Sequence, residues 1–103
     1  MNTLERRRYP RYGFQSDIEL LTASTVLRAF VTDISLCGMF VIVNTPFLIG
    51  TRFTGRMLLD PPLFLPSVVR RVIPNRGMGV NFEDISADAR ERLEKLVASL
   101  AVG

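Results

Sequence analysis

VLRAFVTDISLCGMFVIV, running from Val26 to Val43, is the stretch on which the fold turns. Val26 to Ser35 is rich in Val, Thr, Phe and Ile and is apolar on both parities. That pattern reads as a strand with one face on a core and the other against a neighbour. Met39 to Val43 is a continuous apolar run of the length a buried strand takes. Between them Asp33-Ile34-Ser35-Leu36-Cys37-Gly38 closes the first strand. If the strand persists through Ser35, side-chain alternation sends Asp33 and Ser35 to the same side. Gly38 then permits a tight turn or a close approach of backbone to a ligand.

The neighbouring segments follow the same period. Gln15 to Thr22 alternates, with Ile18 and Leu20 opposite Asp17 and Glu19. Arg52 to Leu59 alternates again, setting Phe53, Met57 and Leu59 against Arg52, Thr54 and Arg56. Ser67 to Ile73 and Met78 to Phe82 complete six strands, joined by the turn composition Pro74-Asn75-Arg76-Gly77. Gly77 and Gly79 read as turn and bulge positions. Asp60 to Pro66, with three prolines, reads as an irregular loop that folds back on the core; a sharper reading makes Leu63 to Leu65 a docking surface for a partner. After Ser86, a candidate cap, Leu93, Leu96, Val97 and Leu100 take up the helical spacing, so an amphipathic helix over about 86–101 packs on the barrel. The expected fold is all-β with a C-terminal helix: a six-stranded antiparallel β-barrel, closed or nearly so, which leaves no sticky edges. Residues 1–12 form a flexible basic arm and residues 13–103 the barrel with its helix.

A chain of 103 residues with 48% hydrophobic content and seven Phe makes one domain with a real core. No apolar run is long enough to span a bilayer, and the N-terminus turns cationic where a signal peptide needs an apolar segment, so a cytoplasmic protein with no membrane insertion is expected. Cys37 is the only cysteine, which rules out an internal disulfide and a thiolate metal cluster. The sequence has no histidine and one lysine, Lys95. The commonest general base and metal ligand are thus missing, and no nucleophile–base pair can be assembled. The reading is not an enzyme, with no metal and no cofactor.

Charge is the second strong signal. The first eleven residues hold Arg6, Arg7, Arg8 and Arg11 against Glu5, a net +3 that equals the charge of the whole chain. A neutral body with a cationic arm is suited to an anion. A guanidinium is a planar fork that grips a phosphate, or the O6/N7 edge of guanine, with two parallel hydrogen bonds. Pro10 pushes Tyr9 into extended geometry, so the arm reads as a strap running into the first strand rather than as a helix. A carboxylate such as Asp33 accepts from guanine N1–H and the N2 amine, and the Ser35 hydroxyl donates or accepts nearby. Together the arm and Asp33–Gly38 make a complementary reader for guanine. Arg70 and Arg71 face opposite ways on a strand, so one of them flanks the site.

In this order and spacing, Arg7, Arg8 and Arg11 as Arg-Arg-x-x-Arg, then Asp33, Ser35 and Gly38 as Asp-x-Ser-x-x-Gly, resemble the PilZ domain family. Gly77-Met78-Gly79-Val80-Asn81-Phe82 is similar to that family's Gly-x-Gly-Val-x-Phe strand, so the resemblance covers nearly the whole chain. It implies a bacterial receptor for the second messenger cyclic di-GMP, on a six-stranded barrel with a C-terminal helix. It implies that Arg7, Arg8 and Arg11 clamp phosphates and guanine edges, that Asp33 and Ser35 hydrogen-bond guanine, and that Gly38 keeps the surface open. Arg6, just before the motif, stands where the family chooses between one ligand and a stacked pair; it points to a stacked ligand dimer. The expected signal is an arm that folds over the ligand and changes the surface offered to a downstream protein. Two other classes remain in view: a nucleic-acid-binding barrel using the arm on phosphates, and a pure protein-interaction module.

Overall fold

The computed structural model describes residues 9–102. Arg6, Arg7, Arg8 and the rest of the arm's first eight residues lie outside them. Six strands follow in order: β1 (Tyr12–Leu21), β2 (Val26–Ile34), β3 (Gly38–Ile42), β4 (Arg52–Met57), β5 (Leu63–Ile73) and β6 (Gly77–Phe82), then helix α1 (Ala87–Val102). All pairs are antiparallel, and the sheet closes on itself as β1-β2-β3-β6-β5-β4. Closure removes free edges, as the alternating pattern implied.

Alternation along each strand fills the interior. Ile18 and Leu20 of β1, Val31 and Ile34 of β2, Met39 and Val41 of β3, Met57 of β4, Leu65 and Val69 of β5 and Met78 of β6 are fully buried. Leu93 of α1 joins them, with Ala89 and Val97 beside it, so the helix lies across β1 and β5. Its N-terminus is capped as read, with the Ala89 amide donating to Ser86 Oγ at 3.1 Å. Arg92 ties the helix to the β4–β5 turn by donating to the carbonyls of Pro61 and Pro62 at 2.7 and 3.0 Å. No helix among the described residues is long and apolar enough to cross a membrane.

Three boundaries differ from the sequence reading. β1 begins at Tyr12, with its side chain packed on the core, so the barrel starts within the segment assigned to the arm. The Asp60–Pro66 loop is shorter than expected, because β5 begins at Leu63 and runs through Pro66. Pro66 is tolerated there because the β5–β6 ladder ends at Ser67–Phe82, and beyond it Glu83 only donates its amide to the Pro66 carbonyl at 2.8 Å, a contact that needs no N–H from proline. Leu63 and Leu65 therefore point into the core and only Phe64 is exposed, which removes Leu63–Leu65 as a contiguous docking surface. Gly77 and Gly79 are strand residues of β6, and the bulge lies on β5, opposite the step from Gly79 to Val80.

Candidate functional site

Two β-bulges build the site. Val31 faces the core, so strict alternation would turn Asp33 inward as well. Between Val31 and Asp33, however, β2 carries one residue more than β3, and Asp33 comes to lie opposite the outward-facing Phe40. On β5 the same happens between Val69 and Arg71: Val69 is buried, Arg70 is the extra residue, and Arg71 is turned outward opposite Gly79. Bulges re-aim side chains in this way. Since Phe40 also pairs with Gly79, one register row crosses four strands as Asp33–Phe40–Gly79–Arg71. The row beneath it reads Phe30–Ile42–Gly77–Ile73.

These rows form the floor of a groove on the outer wall, about 300 Å³ in volume, lined by Arg11, Thr32, Asp33, Phe40, Ile42, Arg71, Ile73 and Arg76. Glycine makes the floor flat. A Cβ on Gly77 would lie 2.9 Å from the Phe40 ring and 2.2 Å from the Val41 carbonyl oxygen, so only glycine lets Phe40 settle there. At Gly79 a Cβ would sit at ordinary contact distance, 3.7 Å, from both Cβ and Nε of Arg71 and 3.9 Å from Phe40. Arg71 thus arches over Gly79 towards Phe40. Arg76 stands in the β5–β6 turn, where Asn75 takes the left-handed conformation (φ 63°) that asparagine tolerates.

The opposite wall joins the arm to Asp33. β1 enters the barrel beside the end of β2, with Tyr12 opposite Ile34 and Gly13 opposite Asp33. Arg11 Nη1 donates to Asp33 Oδ1 at 3.1 Å, and Thr32 Oγ1 lies 3.4 Å from Asp33 Oδ2. Both members of the ion pair are about 30% exposed, at 27% and 31%. Arg11 of the first motif and Asp33 of the second therefore meet at one point.

Ser35 sits differently from the alternation argument. β2 ends at Ile34, and Ser35 turns under the strand end with 1% of its surface exposed. Its Oγ accepts from the amides of Cys37 and Gly38 at 3.1 and 3.2 Å, and its proton is shared at 3.4 Å with the Gly38 carbonyl or Cys37 Sγ. The hydroxyl holds the turn that presents Asp33. Gly38 begins β3 pressed against β6: a Cβ there would lie 2.1 Å from the Val80 carbonyl oxygen. Of the arginines read from sequence, Arg11 lines the groove; Arg6, Arg7 and Arg8 lie outside the described residues. Sequence reasoning left out Phe40 and Arg76 and left Arg71 undecided against Arg70. The Gly77-x-Gly79 spacing was the one signal pointing to a flattened outer wall.

The family model described as PilZ domain matches residues 5–99. Among solved structures, the PilZ domain of YcgR from Escherichia coli, determined with c-di-GMP, superposes with a TM-score of 0.75 at 21% identity, covering 94% of this chain and 92% of that one. The Bacillus subtilis inhibitor of motility (MotI/DgrA) gives a TM-score of 0.79 at 20% identity, over 94% of this chain and 51% of that one. The MrkH–c-di-GMP complex from K. pneumonia gives 0.78 at 18% identity, over 94% and 53%. This chain thus spans about half the length of those last two proteins and nearly all of the isolated YcgR domain. No curated protein sequence matches it.

Proposed function

The chain belongs to the PilZ domain family, and from that membership we propose that it is a receptor for the bacterial second messenger cyclic di-GMP. The observation that carries this reading is the Arg11–Asp33 contact at the head of the outer-wall groove. It brings a guanidinium fork and a carboxylate, the two groups that together complement guanine, to one place. Covalent reach confines Arg7 and Arg8 to within about 14 Å of Arg11, at no more than about 3.6 Å per residue. They clamp phosphate from there, and Arg6 stacks on a base to admit a second ligand molecule.

Asp33 accepts from N1–H and the N2 amine of guanine, with Arg11 exchanging its hold on Asp33 for one on the ligand. Ser35, buried under the strand end, keeps the turn that presents Asp33 in place by accepting from the amides of Cys37 and Gly38. Gly38 keeps the turn close to β6. Micromolar affinity needs about 8 kcal/mol, and bidentate base contacts are worth about 1–3 kcal/mol each. Three or four arginines with Asp33 reach that sum only if ordering the arm, roughly 1–2 kcal/mol per residue, is partly prearranged. Tyr9-Pro10 and the existing Arg11–Asp33 contact supply that prearrangement. Closure of the arm over the ligand is the signal passed to a downstream protein, and the protein acts in the cytoplasm as a binding module without catalysis.

Isothermal titration with cyclic di-GMP, alongside GTP and cyclic di-AMP, tests this. Saturable binding of cyclic di-GMP alone is expected, with the stoichiometry reporting one ligand or a stacked pair. Because the ligand has two phosphates, its affinity should fall only shallowly with salt. Steep salt dependence with indifference to base would identify a nucleic-acid binder instead, and no heat with any nucleotide would refute the reading.

A further inference from the structure

We infer that the β3–β4 loop and the end of β5 form a docking groove for an acidic amphipathic helix of a partner protein. Pro46, Phe47, Leu48 and Ile49 of the loop, with Val72 and Pro74 at the end of β5, line a groove of about 640 Å³. Leu48 and Ile49 stand side by side, 82% and 67% exposed. They are not loose. Gly50 turns the loop in the left-handed region at φ 92°, and its amide donates to the Val69 carbonyl at 2.8 Å. The Val69 amide donates in turn to the Thr51 carbonyl at 2.9 Å, and Phe47 packs edge-on against Phe53 with centroids 5.6 Å apart. A loop fixed in this way, yet holding two large apolar side chains in water, is prearranged for a partner. Along β5 the two grooves share a wall: Arg71 and Ile73 line the outer one, Val72 and Pro74 this one.

Charge selects the partner. The sequence has no acidic residue from Ile34 to Leu59 or from Pro61 to Phe82, the two stretches that supply this end of the barrel. Arg70 is exposed and follows Val69, to which Gly50 is bonded, and Arg76 follows Asn75 of the groove lining. Neither arginine enters an ion pair among the described residues. A two-fold contact between copies of the chain would bring these arginines together with no acid to meet them. A loop that enters a bilayer projects from its surface, whereas these apolar residues line a hollow that receives protruding side chains. Strand addition is closed as well, because the barrel leaves no free edge. Recognition must therefore run through side chains. A helix meets that need with apolar anchors at i, i+4 and i+7 in the groove and carboxylates on its flanks for Arg70 and Arg76.

The test uses the full chain without nucleotide, so its outcome is independent of the receptor reading. The probes are synthetic helical peptides of about 18 residues. One carries leucines at i, i+4 and i+7 with glutamates on its flanks; the second has lysines for the glutamates, and the third serines for the leucines. Titration followed by amide NMR should show saturable binding of the acidic leucine peptide, at least tenfold tighter than either control, with shifts centred on Leu48, Ile49, Arg70 and Val72. Leu48→Ser and Arg70→Glu should each weaken it at least tenfold. Both residues are exposed, so the free variants should melt within about 2 °C of wild type, which separates lost docking from lost fold. No saturable binding, or equal binding of the serine peptide, would overturn the groove; equal binding of the lysine peptide would overturn the acidic partner. Phosphatidylglycerol vesicles that sediment the wild-type protein but not Leu48→Ser would assign the face to a membrane instead. Self-association in ultracentrifugation that Leu48→Ser abolishes would assign it to a second copy, and either result would overturn the inference.

Discussion

Gly38→Ala is predicted to destabilise the barrel severely before any ligand is added. The backbone of Gly38 is not in the left-handed region, so the effect is steric and its size follows from one contact. The added Cβ would lie 2.1 Å from the Val80 carbonyl oxygen and 3.2 Å from its carbon. A carbon and an oxygen in ordinary contact stand more than 3 Å apart, so β3 and β6 must separate by roughly 1 Å at this end. Neither atom can step aside, because one is fixed to each backbone. Overpacking of this kind costs about 1–3 kcal/mol. Spreading the strands also strains the Gly38–Asn81 and Met39–Val80 pairs and the Phe82 amide that donates to the Cys37 carbonyl, which together add about 1 kcal/mol. A total of about 2–4 kcal/mol corresponds to a melting temperature lowered by about 10–25 °C in a domain this size. Thermal unfolding followed by circular dichroism reads it directly. Gly79→Ala serves as the control, because its Cβ meets nothing closer than 3.7 Å and should leave the melting temperature within a few degrees. If Gly38→Ala melts with wild type and only ligand affinity falls, the steric argument is wrong and Gly38 acts by leaving room for ligand.

Arg7→Ala and Arg8→Ala should each weaken cyclic di-GMP binding more than tenfold in titration calorimetry while the free protein melts as wild type does; a large loss of unliganded stability would show that these arginines are structural. Asp33→Ala should reduce discrimination between cyclic di-GMP and cyclic di-AMP, and unaltered selectivity would remove Asp33 from its assigned role. Ser35→Ala leaves the amides of Cys37 and Gly38 without their acceptor in a buried turn, at about 1–3 kcal/mol; urea unfolding should show that loss in the absence of ligand, and an unchanged midpoint would contradict the turn-holding role.

The fold was legible because its core is written in alternation. Ile18 and Leu20 against Asp17 and Glu19, and Phe53 and Met57 against Arg52 and Arg56, specify which face of each strand meets the interior, and a one-residue slip would bury the charges. The helix was legible for the same reason, from Leu93, Val97 and the Ser86 cap. β5 was read as starting late because Pro66 ordinarily excludes a strand. What rescues it is that β6 has already ended alongside, a tertiary fact with no local trace. The site was less legible than the fold, and the cause is the pair of bulges. Alternation counted from Val31 or from Val69 sends Asp33 and Arg71 into the core. Only the extra residues, opposed across the ladders by β3 and β6, reveal that both side chains face out. Ser35 was misplaced by the same arithmetic, since the strand it was counted along stops one residue short of it.

The bulges also explain how the wall can bind a ligand without putting the barrel at risk. A side chain on an unbroken strand shares its register with core neighbours, and changing it disturbs them. Asp33 and Arg71 instead follow an unpaired residue on the outer wall, while Ile34 and Val72 resume the inward pattern immediately afterwards. The Arg11–Asp33 pair fits the same logic. At about 30% exposure it contributes no more than about 1 kcal/mol, enough to hold the arm's root beside the groove. A fully buried pair would cost about 3–5 kcal/mol to break, much of the roughly 8 kcal/mol that micromolar binding supplies. A contact this weak lets Arg11 and Asp33 change partners when a guanine arrives, and a stronger one would have locked the groove in its empty form.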